Sequence, residues 1–205
     1  MLLENYPDIT LIFRNTPSKL IHFVCETIID EKFDFALELT MNSSNIDELS
    51  NFILTYPELK IGAGTVLNLD SARMAIACGA QFLLSPTVMP DDVISFSKQS
   101  SVFIVSGAFT PSEIWSAYQK GSDIVKVFPA RDLPMSYVKD IQAPLGNVPL
   151  MAVGGVSPSN MQSFFDIGFQ YVGIGSSLFG NNSDVTKENV YIRLTELNSL
   201  LIRYL

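Results

Sequence analysis

The chain has 205 residues, 47% of them hydrophobic, enough to bury one sizeable core in a single α/β domain. Thirteen Lys and Arg against 21 Asp and Glu leave a formal charge of -8, with no basic cluster. This excludes a nucleic-acid binder, which needs a basic face, and argues against long-range steering of an anionic substrate. No apolar run nears the ~18 residues needed to cross a bilayer, so no membrane association is expected. The start, MLLENYPDIT, lacks the basic head and long apolar run of a secretory signal. Cys25 and Cys78 lie far apart without metal-ligand spacing, which reads as reduced thiols in a cytoplasmic protein. His22 is the only histidine; it falls in an apolar helical pattern and reads as a packed or surface side chain, leaving no metal cluster to build.

In chain order, β-rich runs alternate with helix-like segments. Strands are expected at 8–14, 34–40, 59–64, 81–85, 102–106, 123–128, 149–153 and 171–174. Between them lie TPSKLIHFVCETIIDEK, NSSNIDELSNFILTYP, NLDSARMAIACGA, MPDDVISFSKQS, TPSEIWSAYQKG and SPSNMQSFFDIG. Thr16-Pro17, Thr110-Pro111 and Ser157-Pro158 read as helix entries, and Gly79, Gly121 and Gly168 as helix stops. Eight βα units without a linker give the expected fold, a single-domain TIM (β/α)8 barrel over residues 1–205. A doubly wound sheet is disfavoured, because the first strand ends in Arg14-Asn15-Thr16-Pro17 rather than a glycine-rich turn. Function is therefore sought where strands end, at the C-terminal face.

In FALELTMNSS, alternation puts Ala36, Glu38, Thr40 and Asn42 on one face and Leu37, Leu39 and Met41 on the other. The apolar face should pack on helices, so Glu38 points into the barrel. In SDIVKVFPA, Ile124, Lys126 and Phe128 share a face, but both faces are largely apolar and periodicity does not orient the strand. Lys126 is placed inside because helices on the outside offer it no partner. Two readings stay open: a buried ion pair between Lys126 and Glu38, or a desolvated lysine that attacks a carbonyl while Glu38 moves protons. Thr65, in IGAGTVLN, brings a hydroxyl to the mouth beside glycines that allow close approach. The glycine-rich ends of strands 7 and 8, VGGVSPSN and GIGSSLFG, followed by a helix start, read as a phosphate cradle including Gly154, Gly155, Gly175 and Ser176. Arg14 is either a surface arginine or a guanidinium clamping a carboxylate.

These motifs resemble those of the 2-keto-3-deoxy-6-phosphogluconate and 2-keto-3-deoxy-6-phosphogalactonate aldolases, class I enzymes on a small TIM barrel. IGAGTVLN, GAQFLLSP, KVFPA and VGGVSPSN stand in the order and spacing of that family. The resemblance implies that Lys126 forms the Schiff base, that Glu38 moves protons and that Thr65 lies near the pyruvyl carboxylate. It further implies that Gly154, Gly155 and Ser176 hold the phosphate and that Pro86 borders the pyruvyl group. Asn42 stands where gluconate-type members carry arginine, and Arg14 resembles the first-strand arginine of the galactonate type. Ser106-Gly107, Phe109 and Thr87 depart from the family pattern, and Phe109 and Thr87 are expected to reshape the pocket. The implied partner is a small phosphorylated keto acid, without metal or organic cofactor, and the implied assembly is a homotrimer. A sugar-phosphate isomerase or epimerase using Glu38 alone, and an inactive barrel with a binding role, are the alternatives.

Overall fold

The computed structural model describes residues 6–180 and 186–201. Eight strands, β1 (Ile9–Phe13), β2 (Phe35–Thr40), β3 (Lys60–Gly64), β4 (Phe82–Leu84), β5 (Phe103–Ala108), β6 (Ile124–Val127), β7 (Leu150–Val153) and β8 (Tyr171–Ile174), close in sequential order into a parallel barrel. The helices that connect and cover them are α1 (Ser18–Glu31), α2 (Leu49–Thr55), α3 (Leu69–Ala77), α4 (Asp91–Gln99), α5 (Pro111–Lys120), α6 (Tyr137–Leu145), α7 (Met161–Asp166) and α8 (Lys187–Leu201). A 3-10 turn at Ser44–Glu48 leads into α2. The TIM-barrel expectation holds. No helix among the described residues is long and apolar enough to cross a membrane.

Two helices lie outside the segments read as helical. α6 is bracketed by Pro134 and carries Pro144 in its last turn, so local composition spells a loop. α8 buries Val190, Leu194 and Leu197 on one face, but Tyr191 and Ile192 are apolar and exposed and blur the periodic signal. β5 runs two residues past its expected end, because Gly107 and Ala108 pair with Lys126 and Val127 of β6.

The helix-entry signals divide. Thr110 caps α5 in a reciprocal box with Glu113, and Pro111 opens the helix. Pro17 itself occupies the cap of α1, while the Thr16 backbone is held by Asn45: its N–H donates to Oδ1 (2.9 Å) and its carbonyl accepts from Nδ2 (2.6 Å). Ser157-Pro158 enters a turn instead of a helix, and α7 starts only after Asn160. Gly79, Gly121 and Gly168 follow helices at φ of 94°, 101° and 107°, the left-handed stop expected of them. His22 packs against Phe52, and its Nδ1 is 2.7 Å from the Tyr56 hydroxyl.

The core has two layers. Inside the barrel, Ala36, Phe82, Leu84, Phe103, Val105, Ile124, Met151 and Val153 cluster over Tyr6, which stacks on Phe103 at the N-terminal end. Outside, Leu37, Leu39, Val125 and Val127 belong to the larger layer packed under the helices. This decides the orientation that periodicity left open: Ile124 faces inward, so Lys126, two residues on, does too. The filled lower barrel leaves polar residues only one outlet, the C-terminal mouth.

Candidate active site

At that mouth lies a cavity of about 650 Å³. Its wall includes all ten residues singled out from the sequence: Arg14, Glu38, Asn42, Thr65, Pro86, Lys126, Gly154, Gly155, Gly175 and Ser176.

Glu38 reaches it from β2 and is 1% exposed. Its side chain lies over Gly64 of β3; a Cβ there would overlap the carboxyl group. Oε1 is buried without a hydrogen-bond partner. Burial pushes the carboxyl pKa up to about 7, against the opposing pull of Lys126 and Arg14. Lys126 enters from β6 and is 5% exposed. Burial lowers its pKa to about 8; Glu38 acts to raise it, and Arg14 lowers it further. No ion pair within 4.0 Å joins the two side chains, so the direct buried pair weighed above is not what forms. The lysine Nζ stands instead 5.0 Å from the centre of the Phe128 ring, which shields one side of it. An amine and a carboxyl with proton affinities displaced toward neutrality, sharing one cavity, are equipped for nucleophilic attack with proton transfer.

Arg14, just past β1, spans two further strand ends. Nη1 donates to Asn42 Oδ1 (3.2 Å) and Nη2 to Thr65 Oγ1 (3.0 Å). Thr65 sits at φ 58°, in the left-handed region where a β-branched residue costs roughly 1–3 kcal/mol. That strained backbone turns its hydroxyl toward the guanidinium. The result is a fixed cation with part of its donor fork still free for an anion.

The rim past β7 and β8 is formed by Gly154, Gly155, Gly175 and Ser176, the last two beside the β1 end that carries Arg14. Ser177 Oγ donates to Val156 O (2.7 Å) and ties the two glycine-rich loops together. The helix start expected directly after each of these strands is corrected. The described residues after β8 up to Gly180 form turns, and α7 begins six residues after Gly155 and is itself six residues long. Loop backbone, rather than a helix N-terminus, shapes this rim.

Three further corrections concern residues outside or missing from the expected set. Phe109 and Thr87 do not line the cavity. Phe109 is exposed and its carbonyl accepts from the Tyr137 hydroxyl (2.6 Å), so neither side chain forms part of the pocket wall itself. Arg131 does line it, in the loop after β6, and sequence reasoning passed over it. The signal was available: an arginine just past a strand end, in an acidic chain, is the same cue that singled out Arg14.

The family model described as KDPG and KHG aldolase matches residues 10–197. The 2-dehydro-3-deoxy-6-phosphogalactonate aldolase of Escherichia coli (strain K12) is 28% identical over 184 residues, covering 88% of this chain and 88% of that protein. A probable 2-dehydro-3-deoxy-6-phosphogalactonate aldolase of Rhizobium meliloti (strain 1021) is 38% identical over 120 residues, 58% of this chain and 56% of that one. A solved structure described as native KDPGal superimposes with a TM-score of 0.86 at 25% identity, covering 99% of this chain and 98% of the other. With that span of the barrel matched from β1 into α8, the chain belongs to the KDPG and KHG aldolase family.

Proposed function

We propose that this chain is a class I aldolase that cleaves a 2-keto-3-deoxy-6-phospho sugar acid to pyruvate and glyceraldehyde 3-phosphate. The observation that carries the reading is the pair of buried groups facing one cavity, an amine lowered to about 8 and a carboxyl raised to about 7. The neutral Lys126 amine attacks the C2 carbonyl and forms a carbinolamine. Glu38, protonated, delivers a proton to the departing hydroxyl, and water leaves an iminium ion. Glu38, now a carboxylate, takes the proton of the C4 hydroxyl as the C3–C4 bond breaks, and the bond's electron pair moves into the iminium to give an enamine. Glyceraldehyde 3-phosphate departs. Protonation of the enamine at C3 and hydrolysis of the iminium by water release pyruvate and restore Lys126.

In this reading Arg14, steadied by Asn42 and Thr65, holds the substrate carboxylate, Pro86 walls the pyruvyl end, and Gly154, Gly155, Gly175 and Ser176 surround the phosphate. The galactonate-type epimer is preferred. The first-strand Arg14 with Asn42 in place of a second-strand arginine supports this, and so do the names of the relatives. The reading includes residues 1–205 as one catalytic domain and a cytoplasmic homotrimer, which sedimentation equilibrium checks.

The decisive experiment is borohydride reduction with pyruvate, followed by peptide mass spectrometry. A reduced pyruvyl adduct on Lys126 is expected; no adduct at any pH overturns the Schiff-base reading. Comparing kcat/KM for the two C4 epimers tests the substrate, and equal values contradict the galactonate preference.

A further inference from the structure

We infer that Arg131 is a specificity-determining residue of this site: its guanidinium grips the terminal phosphate of the substrate and makes phosphorylation a requirement. The inference rests on the aldolase reading for the identity of the substrate, but the anion site itself is testable without it.

Arg131 and Arg14 both line the cavity. Arg14 hydrogen-bonds Thr65, just past β3, whereas the backbone of Arg131 packs on Gly155, just past β7. In a closed ring of eight sequential strands, β3 and β7 face each other across the mouth. A side chain at Gly155 would overlap Arg131 Cβ and stand 3.0 Å from its Cα, so the glycine is what lets the arginine sit against the rim. The mouth thus carries one guanidinium at each end, with Lys126 rising from β6 between them. That matches a keto acid with a carboxylate at one end and a phosphate at the other.

The two arginines differ in how they are engaged. Arg14 is committed to Asn42 and Thr65. Arg131 makes no hydrogen bond or ion pair among the described residues, so its planar donor fork is free for bidentate contact with phosphate oxygens. Around Gly155 the other lining is glycine and apolar side chains, and the chain as a whole carries a formal charge of -8. Arg14, which also lies beside Gly175 and Ser176, is held by Asn42 and Thr65, so Arg131 is the uncommitted arginine among the described lining residues.

The test runs the reaction in the condensation direction, with pyruvate as donor and either glyceraldehyde 3-phosphate or glyceraldehyde as acceptor. The readout is the ratio of the two kcat/KM values. Arg131→Gln is expected to lower that ratio by roughly 10- to 100-fold, the range for losing a charged hydrogen-bonded contact, with the loss in the KM for the phosphorylated aldehyde. Arg131→Lys, which keeps the charge but not the fork, is expected to recover part of it. A ratio within about twofold of the parent's overturns the inference. Titration calorimetry with inorganic phosphate reads the same site independently: saturable binding by the parent, weakened in Arg131→Gln, is expected. Equal binding by both proteins, or none by either, overturns it. If the parent condenses pyruvate with neither aldehyde, the aldolase reading fails, and the phosphate titration alone still decides the role of Arg131.

Discussion

The carboxyl of Glu38 occupies the space that Gly64, on the neighbouring strand, leaves open by having no side chain. Strand pairing sets this up: Glu38 is opposite Gly62, and Thr40 opposite Gly64, so the carboxyl leans along the strand toward the mouth. Gly64→Ala is therefore expected to displace Glu38 and lower kcat by on the order of 10²-fold, the smaller end of what a positioned acid-base group contributes. A double-mutant cycle separates this from a general disturbance of β3. In a Glu38→Ala background the displaced group is gone, and Gly64→Ala should cost at most about twofold more. Additive losses would show that Gly64 acts elsewhere.

The productive enzyme carries one proton between Glu38 and Lys126, since attack needs the neutral amine and loss of water needs the protonated carboxyl. With Glu38 near 7 and Lys126 near 8, the singly protonated pair peaks between these values. The rate of pyruvate trapping is expected to be bell-shaped, rising through about 7 and falling through about 8. These apparent values belong to the pair rather than to either residue. In Glu38→Gln the opposing negative charge is lost, so burial acts on Lys126 without that opposition and its pKa moves further down. Direct titration of Lys126 by heteronuclear NMR checks the direction; an upward move would contradict the electrostatic account.

How much of this was legible before folding follows from what each feature depends on. The barrel was readable because eight βα units repeat along the chain, and strand alternation is a local property. The orientation of β6 was not, because both faces of Ile124–Val127 are apolar; only contact between Ile124 and residues from distant strands decides it. The helix after β7 was read, but its start lies past a turn at 158–160, and the described residues after β8 up to Gly180 form turns, because glycine-rich loops do not show where the next helix begins. α6 was hidden by its prolines. Arg131 had a local cue, an arginine just past a strand end, but that it shares the cavity with Arg14 depends on the closure of the ring.

Burying Lys126 also has a cost to the fold, and its sign can be worked out. A pKa lowered from its ordinary 10.5 to about 8 means the fold opposes the ammonium by about 3 kcal/mol. Below pH 8 the lysine is charged in both the folded and unfolded chain, and the penalty is full. Between about 8 and 10.5 it fades, and above 10.5 it is gone. Glu38 runs the other way: its penalty is full above about 7 and fades as the pH falls toward 4.5. At pH 6 the carboxyl is already mostly neutral in the fold, so removing the lysine leaves little extra burden on it. Lys126→Met should therefore be more stable than the parent at pH 6, by roughly 1–3 kcal/mol, or a few degrees in Tm. The gain should shrink toward pH 10. A variant less stable at pH 6 would mean that Lys126 is held by interactions stronger than its desolvation.

Arg14 presents a last, separable test, because its two hydrogen bonds lead to different strands. Thr65 Oγ1 holds one terminal nitrogen at 3.0 Å and Asn42 Oδ1 the other at 3.2 Å. Both nitrogens keep a hydrogen free, so the guanidinium can receive a carboxylate without breaking either bond. Arg14→Lys retains charge but cannot bridge two acceptors and a ligand in one plane. It is expected to raise KM for pyruvate by roughly tenfold or more in the trapping reaction, while kcat changes less. Asn42→Ala removes one brace and should raise KM by a smaller factor, about two- to fivefold, because an exposed neutral-acceptor contact contributes about 1 kcal/mol or less. If Asn42 acts only through Arg14, the same substitution in the Arg14→Lys background should add little. An unchanged KM for Asn42→Ala together with full additivity would place Asn42 in direct contact with substrate or outside the site altogether, and a fall in kcat alone would assign Arg14 to the chemical step.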